Sequence, residues 1–147
     1  MKAMAAAMKS LDVEDALAAK IERFREMVET QMNEVTAQRH TILHDHAVKA
    51  GRRGYTHVVV DGGKRRFVKV WAHTNTDGRH RDSICIKYFV EVETEKIYGA
   101  RSIAAYNPAR CYGTLDTIDE WFWGEYYASH RTNMDRNVSL VPIAERV

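Results

Sequence analysis

The chain has 147 residues, 45% of them hydrophobic and 29% charged, with a formal net charge of +2. Those values fit one globular unit with an ordinary core and argue against extensive disorder. They supply no bulk charge for a nucleic-acid protein, and no run approaches the roughly 20 apolar residues of a membrane span.

The start, Met1 to Met8, is rich in Ala and Met but leads into an acidic helix start rather than a cleavage site, which reads as a soluble, unexported, cytoplasmic protein. The N-terminal third is expected to be one long helix. Ser10 to Asp12 offer caps, Glu14 and Asp15 suit the first turn, and no Pro or Gly intervenes before Gly51. Ile21, Val28, Val35 and Ile42 recur every seven residues, with Leu17, Phe24, Gln31 and Gln38 interleaved, as in the a and d sites of a heptad. Roughly 40 residues at about 1.5 Å each span about 60 Å, more than packing within one small domain needs. The coiled-coil-like seam therefore predicts a homo-oligomer through residues 1–50, with polar Gln at two inner sites fixing register. The Leu17 to Val28 half is also suited to packing on the sheet of its own chain. Farther on, Gln31, Gln38, Arg39, His40, His44 and His46 gather beside the narrow apolar seam. His40 and His44 have the i,i+4 spacing of a metal pair, but no Glu follows His40 and no third ligand is marked, so a polar patch where helices meet is the reading.

After Gly51 and Gly54 the period becomes that of strands. Tyr55 to Val60, Asp61-Gly62-Gly63 and Lys64 to His73 predict a hairpin with the Gly pair supplying positive φ. Asn75 to Asp82 reads as a polar loop, Ser83 to Val92 as a third strand, Glu93 to Lys96 as a turn and Ile97 to Ser102 as a fourth strand. Asn107-Pro108 is expected to open an irregular segment, because Pro108 cannot donate to a ladder. Thr114 or Asp116 is read as the cap of a short helix through Tyr127, and Val138 to Ile143 as a terminal edge strand. The expected fold class is α+β: a long N-terminal helix, then residues 51–147 as one compact unit with a small antiparallel sheet and a short C-terminal helix.

No catalytic constellation emerges. There is no glycine-flanked Ser elbow and no Cys with a marked His partner. Gly62-Gly63-Lys64 lacks the spacer and the Ser or Thr of a phosphate loop. Cys85 and Cys111 have no metal-ligand spacing. The chain reads as a binding protein without catalytic residues, metal or cofactor. Charge is unevenly spread: Gly51 to Lys87 carries nine Lys or Arg against three Asp or Glu, whereas Tyr88 to Ala128 carries three against seven. Arg52, Arg53, Lys64, Arg65, Arg66, Arg79 and Arg81 fall mostly at turns, where they are either solvated or converge on a phosphate-bearing partner.

Most informative is Lys96 to Arg101, running on through Tyr106 to Leu115 and Trp121-Phe122-Trp123. It combines flat aromatic faces, fixed Arg forks and glycines that permit close backbone approach. The unit from about Ser83 to Trp123 carries Phe89-Val90-Glu91, Glu93-Thr94-Glu95-Lys96, Ile97-Tyr98-Gly99-Ala100 and a loop with Asn107-Pro108 and Arg110. In these residues it resembles a module of small phage and prophage proteins. With its helical N-terminal part the chain resembles the phage Thoeris anti-defence proteins that act as sponges for nucleotide signals. It departs from that pattern at Glu95, where Gly is expected, and at Gly99, where a polar side chain would meet the ligand.

The resemblance implies an oligomer that sequesters a cyclic ADP-ribose isomer or cyclic oligonucleotide in the host cytoplasm. Arg101 and Arg110 would bind phosphate, Phe89 or Tyr106 would stack on the base, and Asn107 would bond a ribose or base edge. A second pocket would use Arg39 and His40 around a helix bundle. Two other readings stand beside it: a phage protein that blocks a host protein or nucleic-acid complex through its basic turns, and a virion assembly protein built on the long helix.

Overall fold

The computed structural model describes residues 11–52, 54–74 and 83–131. In chain order these form α1 (Asp15–Arg39), α2 (Thr41–Lys49), β1 (Thr56–Gly62), β2 (Phe67–Thr74), β3 (Ser83–Glu91), β4 (Lys96–Ser102), β5 (Ala105–Thr114), a single 3-10 turn (Ile118–Glu120), β6 (Trp121–Phe122) and β7 (Ser129–His130). The Ser10 cap, the Asn75 to Asp82 loop and the Val138 to Ile143 strand lie outside the described residues, as do Arg53, Arg79 and Arg81.

Mixed helix and sheet are present as expected, the five main strands forming one antiparallel meander in the order β1-β2-β3-β4-β5. Alternation sorts its two faces. Val58, Val60, Val68, Val70, Tyr88, Val90, Ile97 and Tyr112 form one core cluster with Ile21, Phe24 and Val28 of α1. Thus the first half of the heptad stripe serves the core of its own chain. Phe67, Phe89 and Tyr98 lie on the opposite, outer face. Lys87 is skipped where β2 and β3 shift register, and this bulge brings Tyr88 opposite Val70.

The expected single helix is interrupted. His40, with φ −136° and ψ 57°, ends α1, and α2 resumes at Thr41. The second segment closes as a Schellman motif: Gly51, at φ 82°, donates to the Val48 carbonyl and Arg52 donates to the Ala47 carbonyl. The hairpin forms where expected, with Gly62 and Gly63 at φ 97° and 91°. The segment expected to be irregular from Asn107 is instead strand β5. It accommodates Pro108 by bulging: Asn107 faces Gly99 and Cys111 faces Tyr98, leaving Pro108 to Arg110 unpaired and exposed at the sheet edge.

The short C-terminal helix expected from Thr114 or Asp116 through Tyr127 is replaced by the 3-10 turn and the extended pair Trp121–Phe122. Thr117 Oγ1 accepts from the Thr114 amide at 3.0 Å, closing a turn instead of capping a helix. Beyond it the chain must lay its rings across α1. The Trp123 amide donates to buried Gln31 Oε1 at 2.7 Å, and its indole donates to the Ile118 carbonyl at 3.0 Å. A Cβ on Gly124 would stand 2.6 Å from the Gln31 carbonyl oxygen, so glycine allows the chain to cross the helix closely. Trp123, fully buried, meets Phe24 at 4.7 Å and Tyr88 at 5.2 Å, both edge to face.

Strand β1 would present an open edge, and α1 satisfies it with side chains. Asn33 donates to the Thr56 carbonyl and accepts from its amide, at 3.0 and 2.8 Å. Glu29 Oε1 accepts from the Val58 amide at 2.8 Å, and Arg25 donates to the Val58 carbonyl at 3.0 Å. The matching works because four helical residues rise about 6 Å and two strand residues about 6.6 Å. Glu22 holds Arg25 by a fork at 2.8 to 3.0 Å, and His57 Nδ1 lies 3.0 Å from Glu29. Desolvation opposes the Arg25 charge, but Glu22 and Glu29 overcome it and hold the guanidinium above its ordinary pKa. An edge closed in this way is a poor template for pairing with another chain.

Candidate functional site

On the outer face, four rings from four strands converge. Phe67 of β2 lies 5.5 Å from Phe89 of β3, 6.5 Å from Tyr98 of β4 and 4.6 Å from Tyr106 of β5. Tyr98 and Tyr106 stand 5.0 Å apart. The hairpin turn supplies a cation to this cluster: the Arg66 guanidinium carbon lies 4.8 Å from the Phe67 centroid and 5.0 Å from that of Tyr106. Its Nε donates to Glu91 Oε2 at 2.7 Å and one Nη to Tyr106 Oη at 3.3 Å. The Arg66 side chain nevertheless remains 58% exposed, so part of its donor fork faces solvent. Lys64 and Arg65 beside it are exposed as well. Lys69 reaches over Phe89 at 5.6 Å and donates to the Ile103 carbonyl at 2.7 Å, which ties the tip of the β4–β5 hairpin to this face.

Electrostatics fixes the Arg66 end. The hydrogen bond Arg66 donates to Glu91, helped by the one it donates to Tyr106, outweighs desolvation and raises Arg66 above its ordinary pKa. Glu91 in turn is held below the usual carboxylate range, first by the Thr94 hydroxyl and then by Arg66. This ion pair holds the guanidinium over the Phe67 and Tyr106 rings.

Of the residues read from the sequence, Phe89 and Tyr106 meet on this face, but Phe89 is only 2% exposed and acts as the floor beneath Phe67. Tyr106 stands at the half-buried rim. Asn107 Oδ1 accepts from the Ala109 amide at 3.1 Å, so its carbonyl oxygen shapes the bulge. Arg101 is exposed near the end of β4. Arg110 instead stacks on Tyr127, 3.9 Å from the ring centroid, and Arg39 forms a fork to Glu125 at 2.8 and 3.0 Å. Both therefore belong to the Glu125 to Tyr127 loop. His40 is the exposed residue between the helices, so it and His44 do not share one continuous helix. Among the described residues no three His, Cys, Asp or Glu side chains gather as a metal set.

Arg66, Phe67 and Tyr98 complete the face. Arg66 was legible as a basic turn residue and Tyr98 as an aromatic one; Phe67 carried no signal beyond its strand alternation. Gly99, the position where a polar ligand contact was expected, faces the core: a Cβ there would lie 3.4 Å from Arg110 Cβ and from the Tyr112 ring. Glu95, where Gly was expected, adopts φ 63°, and its carboxylate receives Lys20 Nζ at 2.9 Å. A groove of about 680 Å³ beside that ion pair is lined by Asp12, Glu14, Glu95 and Lys20 among others, a carboxylate excess that disfavours phosphate.

No helix among the described residues is long and apolar enough to cross a membrane. No protein-family model matches the chain, and neither the curated proteins nor the solved structures hold a significant match to it.

Proposed function

We propose that this protein binds a phosphate-bearing nucleotide ligand without transforming it and acts as a sponge for a cyclic nucleotide signal. The observation that carries the reading is the Arg66 guanidinium held over Phe67 and Tyr106, 4.8 and 5.0 Å from their centroids, with Lys64 and Arg65 exposed next to it. A cyclic ADP-ribose isomer or a cyclic oligonucleotide presents phosphate and a base together. The basic turn supplies charge, and the Tyr98 and Tyr106 rings supply aromatic surface. Arg101, on the neighbouring hairpin, is a further candidate for phosphate. The chemistry is sequestration in a phage anti-defence role, which is the resemblance's contribution.

A sponge needs slow release and roughly nanomolar affinity, about 12 kcal/mol, which an enclosed site favours. We assign the closing wall to a second copy. What supports an oligomer is the apolar surface left open on α2, where Ile42 of the stripe and Val48 outside it are 74% and 49% exposed. A second reading, inhibition of a host macromolecular complex, draws on the same basic turn.

Calorimetric titration with cyclic ADP-ribose isomers and cyclic di- and trinucleotides tests the assignment. Arg66→Ala and Tyr106→Ala are expected to weaken binding at least tenfold each while leaving the fold intact. Uptake unchanged by both variants contradicts the site, and no uptake by the wild type contradicts the function.

A further inference from the structure

A second surface stands apart from the outer face, on the helix side of the sheet. The segment Gly124 to Ala128 passes the C-terminal end of α1 and is anchored from two directions. Arg39 forms its fork to Glu125, and Lys87, the bulge residue of β3, donates to the backbone carbonyls of Glu125 and Tyr126 at 3.4 and 3.0 Å. Held by these contacts, Tyr126 and Tyr127 remain 78% and 52% exposed. Their rings meet edge to face, 4.7 Å apart at 81°. Each ring also carries a cation: Arg110 lies 3.9 Å from the Tyr127 centroid, and Lys87 Nζ lies 5.2 Å from that of Tyr126.

Two large rings fixed outward have no role in the core, which Trp123 and Phe122 already anchor. Arg39 and Glu125 pair with each other, and among the described residues no carboxylate pairs with Lys87 or Arg110. Burial lowers the Lys87 pKa and two backbone carbonyls hold its ammonium, so exposed Arg110 is the main positive charge beside the rings. A guanidinium stacked on a tyrosine keeps its donor edge free for an anion, and the ring face opposite a cation remains a stacking surface. Alternating flat faces and positive charge at this spacing complement a chain of bases and phosphates.

We propose that Tyr126, Tyr127, Arg110 and Lys87 form a stacking platform for single-stranded nucleic acid, separate from the nucleotide site on the outer face. Charge complementarity selects this occupant over a neutral protein partner, and the openness of the rings selects single strands over a duplex, whose bases are already stacked.

Fluorescence anisotropy of the full chain with 5′-labelled oligothymidylate and oligoadenylate of about ten nucleotides tests the proposal across a salt series. Binding is expected to fall steeply with salt, to weaken about tenfold or more in Tyr126→Ala with Tyr127→Ala, and to persist in Tyr126→Phe with Tyr127→Phe, which keep both rings. Arg110→Ala is expected to flatten the salt slope. Tyr126→Ala with Tyr127→Ala, which touches none of the outer-face rings, is expected to leave uptake of cyclic nucleotides unchanged, so this result is separable from that for the outer-face site. No binding at low salt overturns the platform. So does binding insensitive to the double alanine variant, or binding lost equally in the double phenylalanine variant.

Discussion

Glu29 is the residue on which the helix and the edge strand depend most. Its Oε1 accepts from the Val58 amide and faces both Arg25 and His57, while Glu29 and Arg25 are 8% and 5% exposed. Removing the carboxylate leaves a buried guanidinium short of one partner and a strand amide with none. Glu29→Ala is therefore expected to cost about 3 kcal/mol in urea unfolding, in the range for breaking a buried pair. A loss below about 1 kcal/mol would show that the network relaxes without it. Glu91 makes a pH prediction. Its folded pKa is depressed, so its contribution is complete above the ordinary carboxylate range and is lost as pH falls through the lowered folded value. Thermal unfolding of wild type and Glu91→Gln from about pH 7 to about pH 3 should show the gap between them closing on the acid side. A gap independent of pH contradicts the Thr94 and Arg66 contacts as its source.

Among the elements, the end of α2 offers a clean test. Gly51 sits at φ 82° with nothing within 4 Å of where a Cβ would stand, so Gly51→Ala isolates the backbone cost of the left-handed position. About 1 kcal/mol of destabilisation is expected by thermal or urea unfolding; no change would mean that the Schellman closure does not hold the helix end. Gly51 as a stop, and the hairpin turned by Gly62 and Gly63, were legible because glycine marks conformations that other residues avoid. The break at His40 was not legible, since no Pro or Gly announces it. The missing C-terminal helix shows the same limit. Thr114 and Asp116 resemble caps locally, but the segment's course is decided by Trp123 binding Gln31, 92 residues earlier, in the core. Gln31 likewise read as an inner site of a seam because its partner, the Trp123 amide far along the chain, was invisible.

At the scale of the whole molecule, the sheet separates two chemistries. Its inner face is closed by α1 and by the aromatic segment around Trp123, and its outer face carries Arg66 on a ring cluster. Of the candidate site, the aromatics near β4 and β5 were legible in sequence, but neither its cation nor its arrangement. Phe89 and Tyr106 share the outer face, yet the cation beside Tyr106 comes from a turn 40 residues away. Arg110, nearer in sequence, is carried by its bulge toward Tyr127. Such pairings depend on strand order and on the Pro108 bulge, neither of which periodicity reveals. Native mass spectrometry before and after incubation with cyclic ADP-ribose isomers and cyclic di- and trinucleotides decides whether the protein takes up a nucleotide signal unchanged, as proposed. An oligomer that gains the intact mass of one ligand per site is the expected result. A protein free of ligand under every nucleotide, or a bound mass altered by reaction, would contradict it.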